Sequence, residues 1–126
     1  MASHLAAEFV NKYEKERRPL PAIALTTDTA VITSIANDTA FHYVFSRQID
    51  ALGSKGDILI VFTTRKQTDL GQSMHSMNLA KAMQMAEIKE IEIILAPVEG
   101  DTTAGRQENQ LIWLHKVSKE VELAFI

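Results

Sequence analysis

His4 and Glu8 are the first pair of residues whose types and spacing suit chemistry. They lie four residues apart in a segment with helical spacing of apolar residues, so they share one helix face. An imidazole and a carboxylate on one face can hold zinc or do acid–base work. From spacing alone, a solvated pair of side chains near a chain end is the simpler explanation.

Gln107 and His115 are candidates of the same kind in a long helix predicted at the other end of the chain. Eight residues of helix correspond to about 12 Å of rise and about 80° of rotation. The two side chains therefore cannot easily reach one ion from a single straight helix. His115 also adjoins an apolar stripe, so a hydrogen-bonded structural histidine is the competing interpretation.

A polar loop follows the most apolar strand of the chain and could bind an anion. It consists of Thr63, Thr64, Arg65, Lys66, Gln67 and Thr68. Hydroxyl groups, two cationic side chains and the free N–H groups of a following helix suit a phosphate. The loop has no glycine, so it is neither a Walker loop nor a dinucleotide-binding fingerprint. Polar loops between strand and helix are common, which leaves a purely structural loop as the alternative.

The elements that must position these residues alternate between strand and helix. Buried strands are predicted at 22–26, 57–62 and 91–96, and helices at 5–13, 30–36, 41–52, 70–86 and 105–125. Ser3 is expected to cap the first helix. The charged residues of the last helix are expected to form a solvated face, and they are Lys116, Lys119, Glu120 and Glu122.

This alternation predicts an α/β fold with a parallel sheet. Continuous apolarity of the strand at 57–62 indicates that helices cover both of its faces. Three strands are few for such a sheet. Either another subunit completes it, or the chain is a shortened version of a larger fold.

Composition restricts the class of protein further. The chain has 126 residues, 46% of them hydrophobic and 23% charged, with a net charge of −3 and no cysteine. One domain is expected at this length. The absence of cysteine excludes disulfides, thiol nucleophiles and iron–sulfur clusters. The mildly acidic balance argues against nucleic acid as a partner, and no apolar run suits a membrane helix or signal peptide. A cytoplasmic protein is expected.

Several segments, taken together and in order, resemble the phosphoheptose isomerases, which are sugar-isomerase (SIS) domain enzymes. The matching segments are 4–13, 17–25, 33–38, 44–48, 51–53 and 56–60, followed more loosely by Thr103, Ala104, Gln107, Glu108 and His115. The resemblance implies a three-layer αβα sandwich with a parallel sheet, flavodoxin-like and shortened. It also implies one SIS domain over 1–126 that lacks the family's N-terminal helix and first strand.

The resemblance further implies an activity and a site. The family converts sedoheptulose 7-phosphate to D-glycero-D-manno-heptose 7-phosphate for lipopolysaccharide, as a homotetramer with sites between subunits. Its zinc positions fall on His4, Glu8, Gln107 and His115, and its catalytic pair on Glu8 and His115. Substrate contacts are implied for Glu8 and Gln107. Asn37 and Asp38 match a further substrate-contacting pair.

The phosphate loop departs from the family pattern, and three hypotheses follow. The family's Ser-Thr-Ser-Gly-Asn-Ser is replaced here by a loop in which Thr63, Thr64, Arg65 and Thr68 would meet the phosphate. The first hypothesis is a phosphoheptose isomerase, favoured by the four retained zinc positions. The second is a non-catalytic SIS-domain protein that binds the bacterial replication initiator. The third is an inactive relic, favoured by the altered loop.

Overall fold

The chain folds into two compact units. A computed structural model describes residues 1–66 and 76–126. The first unit combines Met1–Ala24 with Ala96–Ile126, and the second unit is Leu25–Leu95. The expected organisation as one SIS domain stays a prediction.

In the first unit, a helix from each end of the chain packs against the other. These are α1 (Ala2–Val10) and α5 (Thr103–Ala124). The Thr102 hydroxyl accepts a hydrogen bond from the Gly105 N–H at 3.0 Å and so caps α5. The expected cap at Ser3 is wrong, because Met1 occupies the N-cap position of α1 and Ser3 lies within the helix.

Among its described residues, the second unit contains the sheet, three α-helices and a 3₁₀ helix. Its elements are α2 (Thr29–Asp38), a 3₁₀ helix (Phe41–Tyr43), α3 (Ser46–Leu52), β1 (Ile58–Val61), α4 (Met77–Ile88) and β2 (Glu92–Leu95). The single helix expected at 41–52 is therefore two helices. At the break, the Ser46 hydroxyl donates to the Tyr43 carbonyl at 3.4 Å, and such a local bond competes with the helical backbone pattern.

The two strands are parallel, as the sequence predicts. Ile58 pairs with Glu92 and Val61 with Leu95, and α4 lies between the strands in the chain. Ala82 and Ala86 of α4 are almost completely buried, at 2% and 0% exposure. Their small side chains allow α3 and α4 to pack closely over the sheet. Ile58 is 57% exposed, so this end of β1 is not covered on both faces within the chain.

The strand predicted at 22–26 is wrong. Residues 21–24 have no regular secondary structure, and a turn begins at Leu25. Ala24 is buried, but Ile23 is 69% exposed, so the run lacks the burial that a core strand requires, and a short apolar run alone does not identify a strand. Of the helix predicted at 70–86, residues 70–75 lie outside the described residues, and the helix that is described begins at Met77.

Gly53 ends α3 at a point where no side chain fits, which generates a stability prediction. A Cβ atom there would lie 2.7 Å from the Ile49 carbonyl oxygen and 2.7 Å from Cδ1 of Ile91. The isoleucine methyl group can move, but the helix carbonyl cannot. We expect Gly53→Ala to lower the free energy of unfolding by about 1–3 kcal/mol, measured by urea denaturation. The neighbouring exposed variant Ser54→Ala should change it by less than about 0.5 kcal/mol, and equal effects would contradict the steric explanation.

Candidate active site

The first unit brings His4, Glu8 and His115 into one group. Nε2 of His4 lies 3.7 Å from Oε1 of Glu8 one helical turn away. The His4 and His115 rings meet edge to face, with centroids 5.2 Å apart and an angle of 70°. The His4 side chain is 42% exposed and that of Glu8 is 20% exposed. Two imidazoles and a partly desolvated carboxylate are therefore accessible to a ligand.

Tyr13 is a fourth member of this group, and no sequence pattern singles it out. Its ring stacks on His115 with centroids 5.8 Å apart and an angle of 28°. Burial raises the pKa of the Tyr13 phenol, and the negative charges of Glu14, Glu8 and Glu122 raise it further. The phenol therefore keeps its proton through the physiological pH range.

A buried ion pair lies beneath this group. The side chains of Arg17 and Glu122 are only 1% and 3% exposed, and Nε of Arg17 lies 3.3 Å from Oε1 of Glu122. The prediction that Glu122 belongs to a solvated face is wrong. The buried stripe of α5 runs at four-residue intervals and includes polar residues: Gln110, Leu114, Ser118 and Glu122.

The environment of Glu122 lowers the pKa of its carboxyl group. Burial alone would raise this pKa, but backbone N–H donors from Glu14, Tyr13 and Lys15, together with the positive charge of Arg17, outweigh it. The carboxylate is thus held in its charged form by groups that all come from the segment after α1.

Three of the remaining predicted residues are exposed. Gln107 is exposed on α5, two helical turns before His115. Asn37 and Asp38 are the exposed last residues of α2, where the Asn37 amide donates to Oδ1 of Asp38 at 3.3 Å.

The predicted anion loop directly follows β1. The Thr63 hydroxyl accepts a hydrogen bond from the Arg65 N–H at 3.1 Å, and Arg65 is exposed. Thr64 lies between them. Thr68 lies outside the described residues.

The chain is similar in sequence and in fold to phosphoheptose isomerases. The phosphoheptose isomerase of Campylobacter concisus is 36% identical, with the match covering 98% of this chain and 70% of that protein. The structure of a phosphoheptose isomerase from Francisella tularensis superposes with a TM-score of 0.84 at 30% identity, covering 97% of this chain and 70% of that one. This chain belongs to the phosphoheptose isomerase family.

Other members of the phosphoheptose isomerase family are similar over a smaller part of their length. The protein of Shewanella sediminis is 47% identical over 105 residues, which are 82% of this chain and 49% of that protein. The chain thus spans about half the length of the Shewanella relatives it matches. No family model matches the sequence.

The expected α/β fold of the sugar-isomerase domain is confirmed by the structural matches within the family. A phosphoheptose isomerase from Neisseria gonorrhoeae superposes with a TM-score of 0.77 at 31% identity. Within residues 1–66 and 76–126, none of the helices is long and apolar enough to cross a membrane.

The donor chemistry of the group in this family member suits zinc. Two ligands of a tetrahedral zinc lie about 3.4 Å apart, close to the 3.7 Å between Nε2 of His4 and Oε1 of Glu8. Among the described residues, no three His, Asp or Glu side chains converge tightly enough to form a metal site. Zinc binding by this group therefore stays a prediction.

The lowered pKa of Glu122 predicts how stability depends on pH. Because the folded state holds this carboxyl below its ordinary pKa of 4.5, its stabilisation is complete above about pH 4.5. It is lost as the pH falls through the folded pKa. We expect the melting temperature to fall steeply below pH 4.5, and Glu122→Gln to flatten that dependence while lowering stability at pH 7. Thermal unfolding by circular dichroism from pH 3 to pH 7 tests this.

The exposed Glu16→Gln variant is the control and should retain the wild-type dependence of melting temperature on pH. An unchanged dependence in Glu122→Gln would refute the assignment.

Proposed function

We propose that the protein is an aldose–ketose isomerase that converts sedoheptulose 7-phosphate to D-glycero-D-manno-heptose 7-phosphate, a step toward lipopolysaccharide heptose. The observation that carries the proposal is the group formed by His4, Glu8 and His115. These residues come from opposite ends of the sequence. Their accessible imidazole and carboxylate groups are the types that the reaction requires, and relatives named phosphoheptose isomerase support the substrate class.

The reaction moves a proton between two adjacent carbons through an enediol. A base must remove the proton from one carbon, and an acid must protonate the carbonyl oxygen beside it. We assign these two roles to Glu8 and His115 as a pair. The Glu8 side chain is 20% exposed, so its carboxylate is open to a ligand. His4 contacts both partners and keeps them in one group.

Substrate binding is proposed to involve the polar ends of the second unit's elements. Asn37 and Asp38 offer an amide and a carboxylate to sugar hydroxyl groups. The loop after β1 offers hydroxyl groups and a guanidinium to the phosphate through Thr63, Thr64 and Arg65, with Thr68 beyond them. Arg65 supplies a full positive charge where the family pattern has a small residue. Gln107 is proposed as a further substrate contact.

Zinc is proposed as the cofactor, held by His4, Glu8, His115 and Gln107. When bound, zinc would polarise the substrate carbonyl and stabilise the enediolate charge. Gln107 lies about 12 Å along α5 from His115, so we propose a homotetramer in which neighbouring subunits share the site. A cytoplasmic location without nucleic-acid partners completes the proposal and fits the net charge of −3.

The isomerase proposal predicts that the two proton-transfer residues are indispensable. We expect Glu8→Gln and His115→Ala to lower kcat by about 10²–10⁴-fold in a coupled assay with sedoheptulose 7-phosphate and added zinc. His42→Ala is the matched control, because this half-buried histidine packs on Tyr43 in the second unit, and it should retain wild-type turnover. A folded wild-type protein without turnover would refute the enzyme and favour a binding role or a relic.

Zinc binding is testable without activity. We expect isothermal titration with zinc chloride to show binding to the wild-type protein and to His42→Ala, and strongly weakened binding to His4→Ala and His115→Ala. The reason is that each of the last two variants removes one nitrogen ligand. Equal zinc affinity in all four proteins would refute the proposed ligands.

A further inference from the structure

We infer that the buried pair of Arg17 and Glu122 is a positioning device for the group of His4, Glu8 and His115. The inference rests on the proposed function for its catalytic meaning, and on contacts within the first unit for its geometry. Neither charged group is proposed to touch substrate. Each acts through backbone atoms that belong to, or adjoin, residues of the group.

Arg17 fixes the end of α1. Its guanidinium donates to the Glu8 carbonyl at 2.6 Å and to the Phe9 carbonyl at 2.9 Å. It also donates to the Asn11 carbonyl at 3.0 Å. These are carbonyl groups of the last turn of the helix and just beyond it, which have no partner within the helix, and a cation there also suits the helix dipole. One of them belongs to Glu8, so Arg17 holds the backbone that carries the proposed catalytic carboxylate.

Glu122 fixes the segment that follows. Oε1 accepts the Tyr13 N–H at 2.9 Å, and Oε2 accepts the N–H groups of Glu14 at 2.8 Å and Lys15 at 3.0 Å. Three consecutive N–H groups around one carboxylate form an anion nest. The nest sets the position of Tyr13, whose ring stacks on His115.

The two anchors act on different members of the group, Arg17 on the backbone of Glu8 and Glu122 on Tyr13, which stacks on His115. Glu122 and His115 are seven residues apart on α5, or about two helical turns, so they lie on one face. From that face, α5 contacts Tyr13 twice. The Glu122 carboxylate accepts the Tyr13 N–H, and the His115 imidazole stacks on the Tyr13 ring. Arg17 bridges Glu122 to the backbone of Glu8. The relative placement of Glu8 and His115 therefore depends on this ion pair.

The test compares Glu122→Gln and Arg17→Lys with the control Glu16→Gln. Glu16 pairs with Lys12 at the surface and has an 85% exposed side chain, so its variant removes one carboxylate charge, as Glu122→Gln does, but from an exposed position. Nuclear Overhauser contacts between the Tyr13 and His115 rings, and the ring-proton shifts of His4 and His115, report the geometry in the full chain well below its melting temperature. Steady-state kinetics report kcat and KM separately.

We expect both buried-pair variants to lose the contact between the Tyr13 and His115 rings and to shift the His4 and His115 signals. We also expect kcat to fall about 100-fold, as for a small misplacement of reacting groups, with KM nearly unchanged. Glu16→Gln should match the wild type in every measurement.

Two results would overturn the inference. The first is a folded Glu122→Gln or Arg17→Lys protein with wild-type ring contacts and shifts, and the second is failure of both variants to fold, which indicates a purely structural pair. A wild-type protein that lacks the ring contact also contradicts it. A third result separates the two proposals. If the wild-type protein shows no turnover but the variants still lose the ring contacts, the enzyme proposal is refuted and the positioning role of the ion pair stands.

Discussion

Burial of the Glu122 carboxylate is the constraint on which the first unit depends. A carboxylate removed from water needs charged and hydrogen-bonding partners, because its desolvation otherwise costs several kcal/mol. Those partners are Arg17 and the N–H groups of residues 13–15. The Glu122 carboxylate of α5 therefore keeps its partners only if α1 ends at Val10 and the chain then places residues 13–17 around it. This requirement ties the two ends of the sequence together more specifically than apolar packing of α1 on α5 could.

The same constraint explains how a chemically useful group can be built from so few residues. His4 and Glu8 share a face of α1, but one helix cannot by itself place them against an imidazole from residue 115. Apolar contact between two helices tolerates small rotations and shifts, whereas three hydrogen bonds to one carboxylate do not. The positions of His4, Glu8 and His115 relative to one another are thus set by the hydrogen bonds and the ion pair of Glu122 and Arg17.

Local sequence patterns predicted the helices and strands better than the long-range contacts between them. The alternation of strands and helices indicated the parallel pairing of β1 with β2, and the i, i+4 spacing placed His4 beside Glu8. The burial of Glu122 was missed because charge in a long helix usually means solvent exposure. The continuing four-residue spacing from Gln110 through Ser118 to Glu122 is the signal that could have revealed it. Tyr13 could not be found, since its partner lies 102 residues away in the sequence.

The segment from Arg17 to Ala24 shows why an apolar run need not be a strand. Proline lacks an N–H group and disfavours a helical residue before it, so Pro19 and Pro21 keep this segment from continuing α1. The Leu20 N–H instead donates to the Phe9 carbonyl at 3.0 Å, alongside the guanidinium of Arg17 on the same oxygen. The segment thus turns back along the end of α1 and satisfies its carbonyl groups. Its hydrogen bonds serve the helix that carries Glu8. Leu20 and Ala24 are buried without entering a sheet, and Ile23 is 69% exposed.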